Sequence, residues 1–488
     1  MDNVYLAKIR DDLHRYRKPI LTMFFIYLLG ISAILRANFY YIDDLGRARW
    51  GYKEFHYFSR YIPQYFSTFL HADSYLTDIS PLPQLIAVLL LALAAVIVLR
   101  AVTERDTFYF VEYIAMIPLG LSPYFLQCLS YKYDSPYMGL SVLAAVLPVI
   151  FMNRGFYCYL LSTFLCSLVV CMSYQAAWGI FPMFVVLLAW IKWNRNEKWQ
   201  TVLRFVFLSA IGYLAGTLFF ALFLMKPADD YASTSLHALM EMIPMTLYHM
   251  KMYYIHVIQD FKLEWLVMIG LLCVGFIHVS VRNSQKGRVF GFAFSILVLL
   301  AFVGMCFGVY PALSRPTFDP RSMYGFGALL SFVAVYTVTT RRFCFYKTVC
   351  IALCWCFFVF GFTYGNALNA QKVYTDYRIT AAIHDLHELD LFDEEKIKTY
   401  QIKGSIGYAP EIEGMPQDYE MLRRLVPISF ADSEMDWGYF SFSQYYRLKN
   451  ITWDRSIDLT EYNLPKLKDT YYHTIYADDE YVLIVLKW

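Results

Sequence analysis

The sequence predicts an all-α polytopic membrane bundle of about eleven transmembrane helices, followed by a small C-terminal α/β domain. Three observations predict it. Of 488 residues, 58% are hydrophobic and only 17% are charged, with a mean hydropathy of +0.40. Apolar runs of about 20 residues, the length that crosses a bilayer as a helix, recur along the chain. After Gly365 charges become frequent and no further run is long enough to span. The net charge of +2, with no basic stripe interleaved with motif aromatics, gives no sign of nucleic-acid binding.

Residues 1–18 are polar and carry Lys8, Arg10, Arg15, Arg17 and Lys18. The apolar run after them is long and has no small-residue cleavage site, so it reads as an uncleaved first span. The spans that follow the same reasoning are 19–36, 83–100, 108–127, 136–153, 156–173, 177–193, 200–225, 264–281, 289–309, 323–340 and 344–365. The third contains Glu112, Pro118 and Pro123, and the fifth and sixth share a very short connection. Glu112 is either a costly intramembrane acid or a residue at the end of its helix.

The Lys/Arg bias of short loops sets the orientation. The N-terminal segment, Arg100 with Arg105, Arg154, "KWNRNEK" at 192–198, "RNSQKGR" at 282–288 and "RR" at 341–342 fall on one side, which is therefore cytoplasmic. The opposite side receives 37–82, 128–135, 174–176, 226–263, 310–322 and the tail. The expected topology is N-terminus inside and C-terminus outside, with domains 1–365 in the membrane and 366–488 beyond it. In the tail, "ITAAIHDLHELDLFDEEKI" is helical in pattern, and "KTYQI" and "EYVLIVLKW" are strand-like.

Within loop 37–82, Phe55, Phe58, Tyr61, Ile62, Tyr65, Phe66 and Phe69 recur at steps of three and four. This predicts an aromatic amphipathic helix, lying in the headgroup region or packed on the bundle. All ten cysteines lie in or beside apolar runs and read as small apolar residues rather than disulfides or metal ligands. His384 and His387 are expected on the solvent face of a polar helix. No zinc spacing, P-loop, dinucleotide fingerprint or nucleophile elbow occurs, so nucleotide hydrolysis is not indicated.

The chemistry concentrates in three outside loops. "RANFYYIDDLGRARWGYKEF" sets Asp43 and Asp44 among aromatics just past the first span. On a bare loop such a pair is a solvated loop end or a helix cap. Beside Tyr40, Tyr41 and Ile42 it can instead be partly desolvated, where a carboxylate serves as general base or as an oxygen ligand to a divalent cation, Mg or Mn. "SYKYDSP" brings Lys132 and Asp134. "YPALSRPTFDPRSMYG" brings Arg315, Asp319 and Arg321 between prolines. A guanidinium suits phosphate because it donates two parallel hydrogen bonds. The competing reading for these arginines is interfacial anchoring, or an ion pair with Asp319.

The aromatic-flanked "FYYIDDLGRARWGY" after the first span, "YKYDSPYMGLSVLAAVLPVI", and the tail pattern "YQIKGSIGYAPEI" with "RLVPISF" resemble the GT-C membrane glycosyltransferases. Within them the chain resembles the bacterial and phage-borne glucosyltransferases that modify O-antigen and convert serotype. The resemblance implies a bacterial inner-membrane enzyme of GT-C-like fold with a periplasmic C-terminal domain. It implies inverting transfer of glucose from undecaprenyl phosphate glucose to a hydroxyl of a lipid-linked O-antigen. It also implies an essential acid in the first outside loop, which corresponds to Asp43 and Asp44. Asp44, the more distal from the span, is the first choice of base, with Asp43 orienting it or binding a metal. Arg315, Arg321 and Lys132 are the candidates for the donor phosphate by their chemistry, and Asp134 and Asp319 for acceptor binding or tuning of the site. Two other classes share many spans and basic loops: a polysaccharide flippase or transporter, and an O-antigen polymerase. Spans nearly free of charge argue against the first, and the large folded tail argues against the second.

Overall fold

The computed structural model describes residues 2–226, 235–238, 240–340, 343–391, 398–415, 419–430, 441–442 and 457–488, with side chains from Arg15 onward. The basic pair at 341–342, parts of the 226–263 loop, and the 392–397 end of the helical tail stretch lie outside them.

The chain runs through α1 (Asp2–Ala37), α2 (Asp43–Trp50), α3 (Tyr61–His71), α4 (Leu82–Thr103), α5 (Phe110–Ala115), α6 (Ile117–Leu121), α7 (Pro123–Ser130), α8 (Ser135–Val146) and α9 (Phe156–Ser173). It continues through α10 (Ile180–Asn194), α11 (Trp199–Phe219), α12 (Met242–Asp260), α13 (Leu263–Asn283), α14 (Arg288–Met305), α15 (Gly325–Val338) and α16 (Cys344–Glu388). Among the described residues eight helices are long and apolar enough to cross a membrane: Arg15–Ala37, Leu82–Thr103, Phe156–Ser173, Gln175–Asn194, Trp199–Leu224, Leu263–Asn283, Arg288–Met305 and Cys344–Glu388. A ninth is added if Phe110–Leu121 and Pro123–Ser130, bent by 59°, count as one span.

The count by length is therefore eight or nine, where the hydropathy pattern predicts eleven. Two of the expected spans are the short apolar helices Ser135–Phe151 and Gly325–Val338. Every residue of the latter is buried, so its apolar run answers to protein packing as much as to lipid. The bend follows from Pro123, which lacks an N–H and holds Ser122 extended at ψ 146°. Glu112 proves to be a helix-end residue: Oε2 accepts from the Tyr109 N–H at 2.8 Å, and Oε1 pairs with Arg105.

The first and last spans pack tightly, α1 against α16. A Cβ at Gly365 would come within 2.4 Å of the Ala33 backbone, so only glycine permits that approach. No break occurs at 365. The helix α16 continues for 45 residues in all, out of the apolar layer and into the polar tail. There Ile379, Ala382 and Leu386 pack on a four-stranded sheet of order β1-β4-β3-β2, formed by β1 (Thr399–Gly404), β2 (Lys466–Asp469), β3 (His473–Ala477) and β4 (Tyr481–Leu486). β1 and β4 are parallel and the other pairs antiparallel. The two strands expected from the sequence are β1 and β4. Two short helices, α17 (Pro410–Glu413) and α18 (Glu420–Leu425), lie between β1 and β2.

Two sets of loops are joined by direct contacts. Arg15 pairs with Asp106 at 3.3 Å, and the Gln285 N–H donates to Asn194 O at 3.2 Å, linking basic connections to one another. The loops after α1, α7 and α14 meet one another and α18, as described next. The amphipathic α3 turns Tyr65, Phe66 and Phe69 outward, with Phe69 85% exposed, while Pro63, Ser67 and His71 are buried.

Candidate active site

The site grows from the turn that follows α1. Ile42, β-branched, adopts φ 47° and ψ −101°, a conformation that L residues of its type avoid. The turn it makes starts α2 at Asp43 and folds Asp44 back beneath the chain. Asp44 is completely buried. Its Oδ2 accepts from the Tyr41 N–H at 3.1 Å and from the Lys132 N–H at 2.9 Å. Its Oδ1 has no partner among the described residues. Burial pushes the carboxyl up to about 8, against the pull of the Lys132 N–H and the Arg47 guanidinium. Burial thus favours the neutral form of Asp44, whose Oδ2 ties the loop after α1 to the loop after α7. Asp43 differs: it is half-buried, and its charge acts on Tyr52, Tyr131 and Asp134.

Arg47 follows Asp43 and Asp44 by one helical turn, so it shares their face. Its guanidinium pairs with Asp134 and stacks over Phe55 at 4.4 Å, with both ion-pair side chains 6% exposed. Burial pushes the Asp134 carboxyl above the ordinary carboxylate range, and Arg47 opposes that push. Lys132 turns the other way. Its Nζ donates to Asp78 Oδ2 at 2.9 Å and lies 3.7 Å from the centre of the Tyr40 ring.

The third loop arrives through Arg321. Its N–H donates to Gln127 Oε1 at 2.6 Å, and its guanidinium donates to the Tyr131 hydroxyl at 2.6 Å. Gln127 Nε2 donates to the Tyr41 hydroxyl at 3.0 Å, which in turn donates to Leu425 O at 2.7 Å. One chain of hydrogen bonds therefore crosses three loops and ends on α18. A second tie joins the same parts: Arg424 pairs with the buried Asp260 and also donates to Phe318 O. Tyr124 donates to the same Asp260 oxygen at 2.8 Å.

Of the residues singled out from the sequence, Asp43, Asp44, Asp134 and Arg321 come together; Lys132 joins them only through its backbone N–H, its ammonium being turned to Asp78. Asp319 lies 3.6 Å from Arg321 and is about half exposed. Arg315 is exposed, and its loop segment pairs instead with 235–236, through Ser314 N–H to Ser235 O at 2.9 Å. Arg47, Arg60 and the Arg424–Asp260 pair carry roles that sequence reasoning missed. Arg60 stacks over Tyr174 at 4.5 Å, and Arg47, Arg60 and Arg321 all act on Asp134. The signal for Arg47 was its helical spacing from the acid pair. No local pattern marks the others.

Of the acid pair, Asp44 offers one oxygen not taken by a protein donor and Asp43 a half-buried carboxylate, so these two side chains are the ones that would hold a divalent cation there, beside the Arg47 guanidinium. A separate group of possible ligands, His384, Asp385 and Glu388, stands on α16 outside the site. Lys468 Nζ already bridges its two carboxylates, at 2.7 Å from Asp385 and 2.5 Å from Glu388, and His384 is exposed as expected.

These features define a polytopic helical protein with a buried acid and guanidinium cluster between the loops that follow α1, α7 and α14. The chain matches the family described as Glucosyl transferase GtrII over residues 32–332, and it belongs to that family. The match runs from the end of α1 to within α15, and so contains all three converging loops. A protein of Salmonella phage P22, described as an uncharacterized 55.3 kDa protein in the gtrB 5′ region, is 21% identical over 209 residues. That similarity covers 42% of this chain and 43% of the phage protein, so the chain spans less than half the length of the relative it matches. No solved structure matches the chain.

Proposed function

We propose that the protein is an inverting glucosyltransferase that moves glucose from undecaprenyl phosphate glucose to a hydroxyl of a lipid-linked O-antigen on the periplasmic face of the bacterial inner membrane. The observation that carries this reading is the meeting of the three outside loops. Asp44 bonds the Lys132 amide, Arg47 pairs with Asp134, and Arg321 bonds Tyr131 and Gln127. Carboxylates and guanidiniums beside a membrane suit a phosphate at headgroup depth with its tail in lipid. A nucleotide sugar has no access to an outside site, which favours the lipid donor.

Asp43 takes the role of base in preference to Asp44. It is half-buried, whereas Asp44 is sealed, held by two amides and pushed by burial toward its neutral form. The Asp43 carboxylate accepts the acceptor hydroxyl proton as that oxygen bonds C1 of the sugar. The bond from C1 to the phosphate oxygen breaks, and its electron pair leaves with the polyprenyl phosphate. Arg321 and Arg60 compensate the charge that builds on the phosphate, while Arg47 and Asp134 hold the loops in register. Residues 366–488 form an extracytoplasmic domain that α18 docks against the site.

The test uses purified protein in liposomes with polyprenyl phosphate carrying labelled glucose and a lipid-linked O-antigen acceptor. Labelled acceptor plus released polyprenyl phosphate is the expected result. Movement of the lipid-linked sugar across the bilayer without covalent change overturns the reading in favour of a transporter.

A further inference from the structure

A cavity of about 270 Å³ opens between the end of α1, the start of α4 and α16, on the side of the acid loop toward which Lys132 turns. Its wall is divided. Ile34 and Leu368, on two membrane helices, form an apolar side, and Asn38, Ser80, Gln84 and Lys132 form a polar one. Gln84 is only 4% exposed, yet its carboxamide oxygen has no partner among the described residues. A buried amide oxygen left without a partner is costly, so the position calls for a ligand that donates a hydrogen bond.

The charge in the cavity is already balanced. Lys132 pairs with Asp78 at 2.9 Å. Burial alone would raise the Asp78 carboxyl, but Ser80 and Lys132 outweigh it and hold it below the ordinary range, which favours the carboxylate. A phosphate would have to displace that carboxylate. A neutral polyol would not: its hydroxyls donate to Gln84 and accept from the remaining Lys132 and Asn38 protons. The geometry points to this cavity as a subsite for a neutral sugar carried on a lipid, its hydroxyls on Gln84 and its apolar stem along Ile34 and Leu368. The assignment of that sugar to the acceptor rests on the transferase reading; the binding itself does not.

The experiment measures binding of decyl glucoside and of decyl phosphate, which share a tail, to the protein in phosphatidylcholine nanodiscs. The protein carries Asp43→Asn, so that no turnover intervenes, with and without Gln84→Met. The glucoside is expected to bind more tightly than the phosphate and to lose about tenfold in affinity with Gln84→Met, the loss of one hydrogen bond to a buried amide. Equal binding of the two probes, tighter binding of the phosphate, or indifference to Gln84→Met overturns the subsite. In the transfer assay, Gln84→Met alone should raise the acceptor KM and leave the donor KM unchanged; a change confined to the donor overturns the acceptor assignment. Glucoside binding that depends on Gln84 supports the subsite even where transfer is absent, so failure of the transferase reading is seen separately.

Discussion

Arg47 and Asp134, 87 residues apart in the chain, form an ion pair in which each side chain is 6% exposed. The pair clamps α2, in the loop after α1, to the loop after α7, one helical turn from the acid pair. Removing one partner of such a pair leaves an uncompensated buried charge. Arg47→Ala should therefore destabilise the protein by about 3–5 kcal/mol. Arg47→Met combined with Asp134→Leu should cost much less than the sum of the single changes. Thermal unfolding of the four proteins of this cycle in detergent measures the coupling, and additive effects would show that the pair does not hold the loops.

The two aspartates should separate in activity. Asp43→Asn should lower kcat by about 10²–10⁴, the usual contribution of a general base, without loss of folded protein. Asp44→Asn keeps an oxygen for the two amide donors and should retain most of the transfer rate. Transfer rates with labelled donor decide between them; the reverse ranking would return the base to Asp44.

Asp44 also predicts a pH dependence of stability. Its folded value is about 8 and its ordinary value 3.8, so between these the native state holds a proton that the unfolded chain has lost. Stability falls as pH rises through that window, and the contribution is fully favourable only below it. In Asp44→Asn this slope should vanish, so the variant gains on the parent protein as pH is raised from 5 to about 8. Melting temperatures across that range check it.

Arg321 and Arg315 sit on one loop but in different surroundings. Arg321 is bound to Tyr131 and Gln127, whereas Arg315 is exposed. Arg321→Ala should raise the donor KM at least tenfold, as loss of a charge-assisted contact to phosphate does. Arg315→Ala should change it by less than about threefold. Steady-state kinetics with varied donor test the contrast.

Arg424 joins α18 to Asp260, whose side chain is fully buried. Arg424→Ala should loosen the C-terminal domain and expose residues 398–488 to faster limited proteolysis, while the membrane helices stay protected. An unchanged digestion pattern would assign the docking to other contacts, Tyr41 with Leu425 first among them.

Much of the architecture was legible because apolar runs and charge-poor composition report directly on a lipid environment. Each of the eleven predicted runs is helical in the structure; of the amphipathic aromatics, those from Tyr61 to Phe69 lie on α3, which turns Tyr65, Phe66 and Phe69 outward, whereas Phe55–Phe58 form a separate turn with Phe55 buried. Hydropathy could not separate a lipid-facing run from one enclosed by protein. Gly325–Val338 is as apolar as its neighbours, yet it is a short helix buried on every side. Nor could the break in composition at Gly365 reveal that α16 continues through it without interruption.

The sequence by itself determined a polytopic helical chain, the candidate acids after the first span, and the charged residues of the 128–135 and 310–322 loops. Local spacing carries that information, because helices and turns are set by neighbours. The tertiary structure decided which of two adjacent aspartates is sealed and which stays accessible. It also decided that Lys132 turns from the guanidinium cluster to Asp78, and that Arg47, Arg60 and Arg424 complete the arrangement. Those outcomes depend on burial and on partners 54 to 164 residues away, which no local pattern encodes.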